Sequence, residues 1–509
     1  MSKPVRSRLF VASLSVVFFM GVYSQVSAQP PRIERISQAR SEKSHTSPER
    51  YLAFQMFSGS SESPPGTTGE SLHRIKSEPE MDAFFERLNA KIGHLGQPGS
   101  RLAVFIGPLT FDQSDNQLVE HIRSGFAMAR KHKIAIGFHI DESKYWSSYK
   151  PFQNKPEILE WSDWEGTPST GQHLNWGREF RLNPQLCLNH PLVKAESQRR
   201  ARDVFAKTIA KGMKGLKQSN EAHLFAGIII GWETALARDW ETRQRTGYHA
   251  LSNMGLSKKS SPEQVDKALA HLFEESLGIW ASEFQNIGIP KEKLYSHIAF
   301  EAGVTAENFQ QAKKVDDQTF SFFYGGGIPE NAFVKWGRPG FSTYPDQECF
   351  RQIYTQLKEK KQIGWASSEG ANVFLKMGGA DKPTTTMESY LAYMFNHGAT
   401  VVNVFGWDVG PQHNPFRQAA ENPDAIVAYR KFLGGKTLAE EDLDKAYLSP
   451  AVLLRKKIPL MHKSIQAFAQ RGGNMRKVQE KLSQFEPLLK QGKIDEAMKL
   501  VDEVLEITK

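Results

Sequence analysis

Cysteine is scarce: Cys187 and Cys349 are the only two in 509 residues. A disulfide framework cannot hold such a chain together, and one bridge or two unpaired, partly buried thiols are the alternatives. After residue 28 no apolar run approaches the roughly 20 residues that a spanning helix needs, so no membrane insertion is expected of the mature chain. HExxH and comparable metal-ligand spacings are missing, as are a GxSxG elbow and a kinase signature. The glycines from Gly325 to Gly327 lack the helix-opening context of a phosphate loop and read as a turn. Neither a metal nor an organic cofactor is therefore implied. A formal charge of +9 is spread along the chain without a Lys/Arg cluster interleaved with aromatics. That balance tolerates acidic polysaccharides but does not predict a nucleic-acid partner.

What is present begins with an address. Lys3, Arg6 and Arg8 precede an apolar stretch from Leu9 to Tyr23 that runs into Val26-Ser27-Ala28. This is the form of a secretory signal spanning residues 1–28, and it predicts a secreted or periplasmic protein. Residues 29–50 are rich in Ser, Arg, Pro and Gln, bury too little to order themselves, and predict a disordered tether. Nothing in the sequence specifies an oligomeric state.

From Tyr51 onward, short runs of Ile, Val and Phe alternate with longer amphipathic segments, the sequence form of repeated βα units. Eight such runs can be counted: 51–57, 101–109, 133–141, 225–233, 294–301, 319–325, 363–369 and 400–408. The connections that enter strands are short, and those that leave them are long, notably 142–190, 238–260 and 326–344. The expected fold is therefore an α/β (β/α)8 barrel over residues 51–435, with its surplus loop at the carboxyl face where barrel enzymes keep their sites. Residues 436–509 are charged, with apolar positions three and four apart, and predict a small helical appendage.

Two of the runs end in glutamate: FAGIIIGWE at Glu233, the fourth, and IGWASSE at Glu369, the seventh. On these residues the stretch 51–410 resembles glycoside hydrolase clan A, the superfamily of retaining (β/α)8-barrel glycosidases. Its acid/base glutamate ends strand four and its nucleophile glutamate ends strand seven. The resemblance implies Glu233 as proton donor, with its pKa raised by apolar neighbours such as Trp232, and Glu369 as ionised nucleophile. It further implies that Tyr324, at the end of the sixth run, bonds the nucleophile, and that Trp407, at the end of the eighth, forms a sugar platform. One position departs from the pattern, since Trp232 stands where the clan often has an asparagine for the sugar 2-hydroxyl. No individual family is identified.

Other residues extend the expected carbohydrate site. Glu301, ending the fifth run, is a rival carboxylate or a supporting group. His139 and Asp141 end the third run two residues apart, on one face. They read either as ligands for sugar hydroxyls or as a pair bracing the loop that follows. That loop holds Tyr145, Trp146, Tyr149, Trp161, Trp164 and Trp176, and Trp240, Trp336 and Trp365 lie elsewhere. So many rings suit stacking on the C–H faces of sugars, with Trp146, Trp232 and Trp365 as candidates. The alternative is an aromatic core belonging to the loop itself. The expected activity is cleavage of O-glycosidic bonds in an oligo- or polysaccharide; the other reading is a carbohydrate-binding barrel without catalysis.

Overall fold

The computed structural model describes residues 49–57, 75–175, 179–299, 329–344, 347–373, 375–376, 379–380, 385–443, 450–491 and 493–509. The expected signal and the tether up to residue 48 lie outside these residues, as do the 319–325 run, Glu301, Tyr324, Trp176 and Gly325 to Gly327.

Among the described residues eight parallel strands form the barrel: β1 Tyr51–Phe57, β2 Ser100–Leu109, β3 Ala135–Ile140, β4 Phe225–Ile230, β5 Leu294–Ser296, β6 Gly340–Thr343, β7 Trp365–Gly370 and β8 Ala399–Val404, with the two residues Gly96–Gln97 adding antiparallel to β2. They pair in the order β6-β7-β8-β1-β2-β3-β4-β5. The ring closes where Ile298 N donates to Gly340 O at 3.0 Å and Ser342 N to Ile298 O at 3.1 Å. This is the expected (β/α)8 barrel, with one correction. The sixth place, between β5 and β7, belongs to Gly340–Thr343 and not to the 319–325 run. A β-carbon on Gly340 would fall 2.0 Å from Ser296 O and 2.2 Å from Ser368 Oγ. Only glycine lets the strands approach this closely at the seam.

Strand residues alternate between two apolar layers. Tyr51, Ala53, Ala103, Phe105, Ala135, Ile229, Tyr295, Ala366 and Val401 fill the barrel interior, where alanines make room for the large rings. Leu52, Phe54, Leu102, Val104, Ile136, Phe138, Ile228 and Val402 face the surrounding helices. Three of those helices, Glu78–Ile92, Asp115–His132 and Pro262–Asn286, open on capping boxes. In each, the serine and the Glu or Gln three residues on satisfy each other's exposed backbone donors. Beyond the barrel, the helices Pro450–Gln470, Arg476–Lys490 and Ile494–Ile507 share an apolar core that includes Leu454, Met461, Val478, Leu500 and Val504. Cys187 and Cys349 are both buried and are not joined in a disulfide. Among the described residues no helix is long and apolar enough to cross a membrane.

Candidate active site

Glu369 reaches the barrel interior because of an irregularity. With Ala366 facing inward, strict alternation would place Ser368 inside and turn Glu369 toward the helices. Between Phe341 and Ser342, however, the pairing of β6 with β7 slips, so that Gly340 lies beside Ala366 but Ser342 beside Glu369. The extra residue on β7 is a bulge that turns the carboxylate to the inside, a usual way of aiming a side chain at a site. Tyr344, immediately after β6, donates from its hydroxyl to Glu369 Oε1 at 2.8 Å.

Glu233 lies beyond β4 in a tight turn. Gly231 has φ +104° and Glu233 itself φ +52°, a left-handed conformation that costs a non-glycine residue about 1 kcal/mol or more. The loop after β3 holds this turn from below. Glu142 accepts from Trp232 N at 3.1 Å and from Thr234 Oγ1 at 2.9 Å. Lys144 Nζ donates to Glu233 O at 2.6 Å and also to Trp232 O. The Glu233 carboxylate then accepts from Ser342 Oγ, on β6, at 3.1 Å.

One strand end thus touches both candidate carboxylates, Glu233 through Ser342 and Glu369 through Tyr344. Both glutamates are nearly buried, at 7% and 6% exposure. Burial and the neighbouring Glu233 carboxylate push Glu369 up to about 8, against the opposing pull of the Tyr344 hydrogen bond and the Lys144 charge. The sequence reading expected the elevation at Glu233. What the structure builds is a buried Glu369 whose ionisation the nearby Glu233 charge opposes. Burial and both glutamates raise Tyr344 well above the usual phenol range, so it stays a donor.

Beneath the glutamates lies a buried polar floor. His139 places Nδ1 3.1 Å from Gln55 Oε1 and Nε2 3.0 Å from His297 Nδ1. Asn403 Nδ2 donates to Gln55 Oε1 at 2.7 Å. Desolvation pulls His139 down to about 3 and His297 well below its ordinary value, so both rings are neutral. Trp232 packs its ring against His139, with centroids 4.3 Å apart, and edge-on to Phe57 at 6.3 Å; Phe57 in turn meets Phe405. Phe57 and Phe405, at the ends of β1 and β8, are partly exposed beside Trp232.

Several expected ligands do other work. The Asp141 carboxylate accepts from the backbone N–H groups of Ser143, Lys144 and Tyr145 at 2.9–3.2 Å and is fully buried, so it braces the loop. Burial and the adjacent Glu142 push it up to about 7 despite these donors. His139 is wholly buried within the floor, beneath Trp232 rather than at the surface of the cleft. Trp365, fully buried, faces outward onto Phe341 and donates to His397 O. Trp407, 3% exposed, packs on Phe54 behind the barrel wall under Lys91. Trp146 is a core residue donating to Pro184 O, and Trp161 stacks on His249 at 4.2 Å. The third loop therefore spends many of its rings on its own packing.

Sequence reading missed Gln55, Glu142, Lys144, Ser342, Tyr344 and Asn403. Gln55 and Asn403 were visible in principle, as polar residues at inward positions of apolar strands. Ser342 and Tyr344 were hidden once the sixth strand had been placed at 319–325. Among the described residues no three His, Cys, Asp or Glu side chains are grouped to hold a metal.

No protein-family model matches the chain, and no curated protein matches it. Solved structures with a similar course include a GH5-4 broad-specificity endoglucanase from an uncultured bacterium: TM-score 0.38, 8% identity, 76% of this chain and 96% of that one. The catalytic domain of the Bacillus sp. JAMB-750 GH26 endo-β-1,4-mannanase gives TM-score 0.37 and 10% identity over 76% of this chain and 85% of that one. The α-galactosidase of Thermus thermophilus gives 0.35 and 11% over 76% and 61%. Such distant likenesses carry no information on substrate.

Proposed function

We propose that the chain is an exported glycoside hydrolase that cleaves O-glycosidic bonds of an oligo- or polysaccharide, with Glu233 as acid/base and Glu369 as nucleophile. The observation that carries this reading is the pair of buried carboxyls, one after β4 and one on β7, brought to one site and each given a hydroxyl donor from the end of β6. In the reaction Glu233 protonates the leaving oxygen while Glu369 attacks the anomeric carbon, breaking the C–O bond and forming a glycosyl ester. Glu233, now a carboxylate, takes a proton from water as that water attacks the same carbon and releases Glu369.

Glu369, raised to about 8, must ionise before it attacks. Positive charge growing at the anomeric carbon favours that ionised form. Phe57, Trp232 and Phe405 offer ring faces and edges against which sugar C–H groups can pack.

The test is a panel of polysaccharides and aryl glycosides, followed by azide rescue. Glu233→Ala with azide should yield a glycosyl azide of retained configuration, and Glu369→Ala one of inverted configuration. The opposite pattern would exchange the two roles. Equal activity of Glu369→Ala and wild type on the best substrate would refute the mechanism, and binding of a polysaccharide without turnover would favour the non-catalytic barrel.

A further inference from the structure

We infer that His297 and Ser342 are positioning residues that dictate which oxygen of Glu233 carries its transferable proton. The catalytic consequence rests on the glycosidase reading; the geometry does not. The backbone N–H of Glu233 points at His297 Nδ1, 3.4 Å away. A backbone nitrogen can only donate, so Nδ1 presents its lone pair, and a neutral ring must then carry its hydrogen on Nε2. Burial keeps the ring neutral. His139 Nε2 lies 3.1 Å from Gly231 O and 3.0 Å from His297 Nδ1 and carries the hydrogen of its neutral ring there, which leaves its Nδ1 facing Gln55 Oε1 at 3.1 Å with no hydrogen to give; the assignment of His297 therefore rests on the Glu233 N–H.

His297 Nε2 faces Ser342 Oγ at 2.9 Å and donates to it. With that hydrogen received, the serine turns its own toward Glu233 Oε1 at 3.1 Å. Each link leaves the next a single arrangement. Oε1 is held as an acceptor, so the proton to be delivered resides on Oε2.

Other groups also face Glu233. Among the described residues they include Glu369 on β7, Tyr344 beyond β6, His139 and His297 in the floor, and Glu142, Lys144 and Tyr145 from the third loop, with both Glu233 and Glu369 acting on Tyr145. Ser342→Ala removes one hydroxyl and alters none of these charges.

The experiment is a carboxyl titration by 13C NMR on the mature chain with labelled glutamate, the Glu233 signal being assigned through Glu233→Gln. Ser342→Ala should move the Glu233 midpoint up by about half to one pH unit. His297→Gln, which keeps a donor at the Nε2 position but loses the Nδ1 acceptor, should move it part of the way, and Ser342→Thr should restore it. In turnover, the basic limb of the kcat/KM profile should move up by the same amount. The rate loss should fall on substrates with poor leaving groups and spare activated aryl glycosides. An unmoved midpoint in both folded Ser342→Ala and folded His297→Gln overturns the inference. A moved midpoint in a protein that turns over no glycoside upholds the positioning and defeats the glycosidase reading instead.

Discussion

The crowding of Glu233 and Glu369 should be measurable without any substrate, as a dependence of stability on pH. Glu369 is pushed from 4.5 to about 8 in the folded chain. Its folded form therefore holds a proton that the unfolded form has released, and stability must fall as pH rises between these two values. At 1.36 kcal/mol per unit, the full loss is at most roughly 5 kcal/mol, an upper figure because the two carboxyls titrate as a pair. Glu369→Gln keeps the size of the side chain and abolishes the charge. The variant should match wild type near pH 4 and exceed it by a few kcal/mol near pH 8.5.

For a chain of this length the unfolding entropy is on the order of 1 kcal/mol/K, so the gain corresponds to roughly 3–5 °C in Tm. Thermal melts of both proteins from pH 4 to 9 suffice, because ionisations elsewhere are common to both and cancel in the difference. Should the difference in Tm stay flat across that range, Glu369 is not a crowded carboxyl. The argument that the Glu233 charge opposes its ionisation then fails with it.

Three further outcomes follow from the packing. Lys144→Met leaves the carbonyls of Trp232 and Glu233 without their ammonium donor, and should cost about 2–4 kcal/mol in urea unfolding and about a hundredfold in kcat. Trp407→Ala should destabilise the fold by about 3–5 kcal/mol while leaving KM within about twofold, whereas Phe57→Ala should raise KM about tenfold with little change in Tm. Gly340→Ala should destabilise by about 2–3 kcal/mol or more, since its methyl group must displace Ser296 O or Ser368 Oγ at the seam, and a Tm equal to wild type would contradict the close approach described there.

How far the chain could be read in advance depended on the range of the interactions involved. Strands such as FAGIII and TVVNV are apolar on both faces because a barrel buries both, and a run of that kind is a local signal. β6 is not: GFST is four residues long, contains glycine and two hydroxyls, and is held by its neighbours, whereas TFSFFYG has the composition of a strand. The inward aim of Glu369 depends on a bulge set by pairing with β6, which no period-two count from Ala366 can supply. The tryptophans misled for a related reason. Trp407 lies at the expected strand end and Trp365 within the seventh run, but the direction in which a ring points is decided by tertiary packing. Lys144 belongs to no motif at all; its importance comes from the left-handed turn opposite it.

That grip across loops bears on engineering. Variants of barrel proteins are commonly built by exchanging one strand-to-helix loop at a time, as though each were an independent cassette. Here the third cassette carries Glu142 and Lys144, and these hold the backbone of the fourth. A graft that replaces 142–190 to alter the sugar preference would also release the candidate acid from its conformation. Any donor loop would need to bring an acidic residue and a lysine at those same two positions, or be transplanted together with its neighbour.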